Sequence, residues 1–292
     1  LANNSIISLP NPKIPNFEEN QFFSYQDKNE DDVIFTIWEK NDFKALNTFE
    51  NYKISKIKTI IRSIFQKRIE RFVNENSVDF KSSNIANFNV SNLDEYYLII
   101  TSLKSDKILE GIADIYSIID QIQEHGFIEL EFNQTKKQIL ENLEQNLIEA
   151  PTRSSSSYIN EYTRHFTEDE MISGPINELA FTKKIFEEIK LDDLNNYFLN
   201  YTKAKNQIIE IRGPNSISNF PNQNEIRNIK QETFAKASNP YKFNIIKTKL
   251  INKDLKGSEI IKSKYYPVTN VKRIQLKNGA KIYLKKTDFK KD

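Results

Sequence analysis

ILEGIADIYSIIDQIQEHGFIELEFNQTKK, residues 108–137, is the stretch on which the fold turns. Ile108, Ile112, Ile115, Ile119 and Ile122 recur at alternating steps of four and three, so one helix face carries a single apolar stripe. Ser105 or Asp106 can cap its start, and Gly126 supplies a left-handed stop. A second helix starts just after Phe127 and carries Ile139, Leu140, Leu143 and Leu147. The turn between them is short, which makes the two helices neighbours.

Upstream, Val33 to Trp38 is rich in β-branched and aromatic residues and reads as a strand. A long helix is expected from Asn51 to Asn74, with Ile54, Ile57, Ile61, Ile64, Phe65 and Phe72 mostly at helical spacing. Glu95 to Leu103 reads as a second strand. Pro10, Pro12 and Pro15 make the opening segment extended and irregular. Downstream, Pro151 interrupts, and Ser154 to Ser157 start a helix containing Tyr158, Ile159, Tyr162 and Phe166. Gly174-Pro175 marks a loop. Helices follow from Asn177 to Ile189 and from Asp192 to Tyr201, then a strand from Gln207 to Ile211 closed by Gly213-Pro214. Pro221, Pro240 and Pro267 punctuate a Lys- and Asn-rich stretch without a long apolar face. Val271 to Leu284 ends this trend: Asn278-Gly279 between alternating residues is a strong hairpin signal. The order of elements predicts an α+β fold, a mainly antiparallel sheet with helices packed on one face.

The 292 residues carry a formal net charge of +2, which excludes a whole-chain polycation. The sum conceals an asymmetry. Arg227 to Asp292 holds 18 basic and 5 acidic residues, whereas the part up to Glu225 holds 24 basic and 35 acidic. An acidic body with a basic tail is expected, divided near Glu225. Residues 1–225 form the α+β domain, 226–268 a basic linker, and 269–292 the opening hairpin of a further domain. No run nears the ~18 apolar residues of a membrane helix. There is no cysteine, which removes thiol catalysis, disulfides and cysteine-held metals. The start Leu1-Ala2-Asn3-Asn4 lacks a signal-peptide pattern and reads as a piece cut from a longer protein.

Candidate chemistry is sparse. The two histidines, His125 and His165, lie forty residues apart. Glu161 and His165 stand at i, i+4, but two groups without a third make a weak metal site. Glu124 adjoins His125, and both histidines read as structural or capping groups. The run Glu168-Asp169-Glu170 reads as a solvated loop. Tyr241, Phe243, Tyr265 and Tyr266 interleave with the tail lysines as a nucleic-acid stacking surface would require. The tail is mostly Lys and has no nucleic-acid motif, so a linker docking on an acidic body is preferred. From the residues alone no catalytic, cofactor-binding or metal residue is assigned.

Several stretches resemble one family. His125-Gly126-Phe127-Ile128-Glu129-Leu130-Glu131, running on to Lys136, resembles the "hGf-x-x-x-E-x-x-x-x-K" helix junction of the insulinase/pitrilysin zinc metallopeptidases. Glu187 to Leu194 resembles that family's "x-x-Ile-Thr-Leu-x-x-Val" helix start. Ile208 to Pro214 resembles its closing strand and Gly-Pro, and Gln66 to Phe72 the "N-x-R-L-x-E-L" helix end. Leu276 to Lys285 resembles "L-x-N-G-v-x-v-x-l-k", the opening hairpin of a further domain. Their order and spacing over Gln66 to Leu284 carry the resemblance further than any one motif.

The resemblance implies homologous α+β domains of the mitochondrial-processing-peptidase type, four in the long single-chain forms. It also implies zinc held by an H-x-x-E-H motif in the first domain. This chain has no such motif, nor the family's "R-E-x-x-G-L-x-Y" pair: Glu75 and Val78, not Tyr, follow Arg68 and Arg71 at that spacing. It therefore resembles the second, non-catalytic domain of the first half, plus the inter-half linker and one hairpin. Such a fragment holds no zinc, should be inactive alone, and would wall the substrate chamber of an exported, periplasmic bacterial endopeptidase. Its implied partners are the other domains of the same polypeptide and an unfolded peptide substrate. Inactive members of the family serve as assembly scaffolds, which is the alternative, with nucleic-acid binding a distant third. The hairpin is expected to pair with an exposed sheet edge, stay loose or swap onto another molecule.

Overall fold

The computed structural model describes residues 14–89, 93–242, 251 and 254–287. The readings of Leu1 to Asn4, Pro10, Pro12 and Phe243 lie outside them. Along the chain run β1 (Gln21–Asp27), β2 (Val33–Asp42), α1 (Phe49–Glu75), β3 (Phe80–Asn89), β4 (Asp94–Leu103), α2 (Ile108–His125) and α3 (Glu129–Glu149). After a 3-10 turn (Ala150–Thr152) come α4 (Ser155–Glu168), α5 (Gly174–Glu188), α6 (Leu191–Thr202), β5 (Gln207–Pro214), α7 (Gln223–Phe234), β6 (Ile260–Tyr266), β7 (Val271–Leu276) and β8 (Lys281–Lys285).

The first sheet has five strands in the order β1-β5-β2-β4-β3. β2 is antiparallel to β4 and β5, β3 is antiparallel to β4, and only β1 runs parallel to its neighbour, β5. Side chains alternate between faces with period two. Val33, Phe35 and Ile37 on β2, Tyr97, Ile99 and Leu103 on β4, and Ile211 on β5 all join the core. Each helix that contributes to that core does so on this side: α1, α2, α3, α5, α6 and α7 all supply buried apolar residues. The α+β architecture with helices on one face is thus the observed one.

The α2 stripe behaves as its spacing requires. Ile108, Ile112, Ile115, Ile119 and Ile122 are all buried, and Gly126 leaves the helix at φ 70° with its N–H bonded to Ile122 O. Gly111 is the other sensitive glycine of this helix: a Cβ there would stand 2.6 Å from Asp79 O. On α1, Thr48 caps the first turn by accepting from Asn51 N, and Ile57, Ile60, Ile61, Ile64, Phe65 and Ile69 are buried. Ile54 and Phe72 are only partly covered.

A charged residue completes the α1 face. Arg68 is 2% exposed. Its Nε and Nη2 donate to the two carboxylate oxygens of Glu131, at 2.9 and 2.7 Å, and Nη2 also donates to Gly126 O at 3.1 Å. Glu131 accepts in addition from Ile128 N at 3.2 Å, tying up a first-turn donor of α3. One carboxylate therefore caps α3 and neutralises the buried guanidinium of α1.

Four expectations are corrected. Gly174-Pro175 is the first turn of α5, not a loop: proline lacks the N–H that the first helical position leaves unpaired anyway. Gly213-Pro214 extends β5 and pairs with Gln26 and Asp27. The boundary at Glu225 falls inside α7, whose Ile226 is buried in the core, so the helical body continues to Phe234. The expected linker also contains β6. It supplies the hairpin β7–β8 with its third strand, giving a three-stranded antiparallel sheet, β6-β7-β8. Gly279, at φ 89°, makes the hairpin turn that Asn278-Gly279 predicted.

Replacing Glu131 with Ala leaves Arg68 buried without its counter-ion. Breaking a buried pair in this way costs about 3–5 kcal/mol. Urea unfolding of Glu131→Ala should show a loss of that order, whereas Glu141→Ala, on the exposed side of α3, should stay near wild type.

Candidate functional surface

The sheet's second face carries none of the core helices. Ile34, Thr36, Trp38 and Lys40 of β2 point there, since Val33, Phe35 and Ile37 point inward. Register extends each position into a row. Thr36 lies opposite Ile100 and Glu210, and Trp38 opposite Leu98 and Ile208. Further along the rows, Phe23 is opposite Glu210, Tyr25 opposite Arg212, and Phe88 opposite Tyr96.

The centre of this face is ordered by an aromatic and carboxylate arrangement. Trp38 and Tyr96 meet edge to face at 5.8 Å. Trp38 Nε1 donates to Glu210 at 2.9 Å, and the Tyr25 hydroxyl donates to the same carboxylate at 3.2 Å. Beside them Lys40 and Asp94 form a fully buried pair at 2.7 Å, and Lys40 Nζ also donates to Asn16 at 2.9 Å. At the flanks the face opens: Phe23 is 52%, Tyr25 44% and Phe88 56% exposed. Aromatic rings with polar tips, fixed by hydrogen bonds on a rigid sheet, suit contact with another polypeptide better than proton transfer. A second apolar surface lies on α4, where Tyr158, Ile159, Tyr162 and Phe166 are all exposed.

The residues singled out by sequence do not converge. His125 Nε2 lies 2.9 Å from Ser238 O, and His165 Nδ1 lies 2.7 Å from Glu170 O, so each ties one segment to a helix end. Glu161 is committed to Arg153 at 2.9 Å and to Gly174 N at 3.1 Å. Among the described residues no group of three or more His, Asp or Glu could hold a metal ion. The run Glu168-Asp169-Glu170, read as a solvated loop, spans the end of α4 and the turn after it: its members accept exposed hydrogen bonds from Asn89, Asn47 and Arg164, around a left-handed Asp169 at φ 55°. Sequence reading missed β1 and β3, which carry the exposed aromatics of the surface. The alternation in QFFSYQD was the available signal for β1.

One carboxyl near the sheet's end titrates abnormally. Burial pushes Glu39 up to about 7, and Glu95 adds to this, while the Asn41 hydrogen bond and Lys58 oppose it. Lys58 and Glu95 are themselves paired at 2.6 Å beside a cleft of about 780 Å³ that Asn41 and Tyr197 also line.

No known family profile matches the sequence. A zinc protease PQQL-like protein of Arabidopsis thaliana is 23% identical over 181 residues, 62% of this chain and 19% of that protein. The crystal structure of the periplasmic protease PqqL from Escherichia coli superposes with a TM-score of 0.74 at 14% identity, over 96% of this chain and 31% of that one. The structure of a protein from Yersinia pestis described as a predicted insulinase family protease superposes with a TM-score of 0.64 at 10% identity, over 73% of this chain and 46% of that one. The fold is that of the insulinase-family peptidases. Insulinase-type structures at these identities establish the fold alone, and the chain spans about a fifth of the curated relative it matches. Among the described residues no helix is long and apolar enough to cross a membrane.

Glu39 sets a pH dependence. Its folded pKa of about 7 exceeds the ordinary 4.5, so the folded state holds the proton more tightly. The stability this contributes is fully present below about 4.5 and is lost as pH rises through 7. Denaturation midpoints should fall between pH 5 and pH 8, by up to roughly 3 kcal/mol in stability. Glu39→Gln should flatten that part of the profile.

Proposed function

We propose that this chain is a non-catalytic domain of a larger, exported zinc endopeptidase, and that the sheet face away from the core helices, through its exposed flanks at Phe23, Tyr25 and Phe88, forms part of the wall around the peptide substrate. Zinc and the water-activating carboxylate belong to another domain of the parent, and this chain supplies none of the metal ligands. The supporting observation is the pairing of an insulinase-type fold along 96% of the chain with a sheet face that carries none of the core helices but is set with ordered aromatics. The first half of the Escherichia coli protease PqqL superposes at a TM-score of 0.73 over 80% of the chain, with 13% identity, which fits a place in the amino-terminal half of such a protein. Two of the similar structures are of a periplasmic protease, in keeping with export.

On this reading the surface works by binding. An unfolded peptide entering the chamber loses conformational freedom and needs compensating contacts. Trp38, Tyr25 and Phe23 provide flat apolar area at low side-chain entropy cost, and Glu210 holds the first two in place. The basic segment beyond α7 joins this domain to the next and takes up opening and closing movements of the halves.

In the intact parent, Phe23→Ala combined with Tyr25→Ala should raise KM for an unfolded peptide several-fold, leaving kcat and zinc content within twofold of wild type. Loss of zinc, or an unchanged KM, would remove the wall assignment. The isolated chain should neither retain stoichiometric zinc after dialysis nor cleave the peptide.

A further inference from the structure

Beyond α7 the chain returns to the corner where α1 and α2 meet. Gln121 Nε2 donates to Asn239 O at 2.9 Å. His125 Nε2 lies 2.9 Å from Ser238 O and 3.2 Å from Ser238 Oγ. Asp120 bonds the Ser238 side chain. Pro240 then fixes its own φ and holds Asn239 extended, so this short segment is stiff before it docks. Its end places the Tyr241 ring 4.2 Å from the Arg68 guanidinium carbon and 5.2 Å from that of Arg71. Arg71 Nη1 donates to the Tyr241 hydroxyl at 3.5 Å.

Arg68 needs this cover. Its Nε and Nη2 are bonded, but its buried Nη1 has no hydrogen-bond acceptor among the described residues. Phe127, at 5.3 Å, offers one aromatic face and Tyr241 offers a nearer one. A π-face is the weak acceptor that such a donor can use when no oxygen is present, and a guanidinium, weakly hydrated and planar, stacks well.

We propose that Ser238 to Tyr241 is a docked latch, and that Tyr241 is the removable lid of the Arg68–Glu131 pair. Undocking the latch exposes the guanidinium to water and loosens the corner shared by α1, α2 and α3. The state of the chain leaving this domain is thereby coupled to the packing inside it. This holds whatever chemistry the parent performs, so its test does not depend on peptidase activity.

Arginine-selective dicarbonyl labelling of the purified protein, followed by peptide mass spectrometry, reads the lid directly. Arg62, which is exposed, serves as the reference. In the wild type Arg68 should react far more slowly than Arg62. Tyr241→Ala should accelerate labelling of Arg68 by about tenfold, equivalent to about 1.4 kcal/mol of opening free energy. Tyr241→Phe keeps the ring and should label as wild type. An unchanged Arg68 rate in Tyr241→Ala, or a Phe variant that behaves like the Ala one, overturns the proposal. Should Tyr241→Ala lose cooperative unfolding, Gln121→Ala combined with His125→Ala releases the segment while leaving the ring. Faster Arg68 labelling in that variant supports the latch, and an unchanged rate overturns it.

Discussion

The ion pair between Arg68 and Glu131 is the constraint on which the helical layer depends. A guanidinium with 2% exposure is tolerable only if its charge is matched and its donors are bonded or, like Nη1, covered by aromatic faces. Glu131 does the matching, and its position one turn into α3 fixes where that helix must begin. Gly126 O takes a third bond, which sets the corner between α2 and α3 at the point where the glycine reverses the chain. Three helices are thus indexed to one side chain. A purely apolar contact at the same place would give similar burial without fixing that register.

The two faces of the large sheet follow from this asymmetry. One face is spent on the helices that the pair holds together. The other keeps its polar and aromatic groups in mutual contact: Trp38 with Tyr96 and Glu210, and Lys40 with Asp94. These contacts rigidify a buried centre while the flanks stay open, so the exposed aromatics Phe23, Tyr25 and Phe88 sit on a stiff support. A surface of that kind can bind an extended or disordered chain with little rearrangement of its own.

Much of the fold was legible because long helices announce themselves. The isoleucine stripe of α2, its Gly126 stop and the Asn278-Gly279 turn each carry a local physical cause, and each appears where the sequence puts it. β3 was not legible: its residues FKSSNIANFN are mostly polar, and Ser83 is buried only because it bonds Thr101 across the strands at 2.9 Å. α7 could have been read, since Ile226, Ile229 and Thr233 keep helical spacing behind an Asn222/Glu225 capping box. Its Arg227 and Lys230, read together with the lysines that follow, pointed instead to a linker. The histidines drew attention as chemical groups, yet each bonds a backbone carbonyl, and no local pattern announces that role. The surface of the sheet was legible least, because Phe23, Tyr25, Trp38 and Glu210 come together only through strand order.

The parallel pairing of β1 with β5 has a consequence in time. Gln21 meets Ile208, so the edge strand cannot find its place until most of the chain exists. β2 needs β5 as well, on the side away from β4. During synthesis the antiparallel strands β2, β4 and β3 with α1 and α2 can assemble from nearer partners, while one edge of β2 stays open. That open edge is a site for wrong pairing until β5 arrives. Closure of this sheet is therefore a late event in the life of the nascent chain, and slowing translation before residue 207 would lengthen the interval in which it can aggregate.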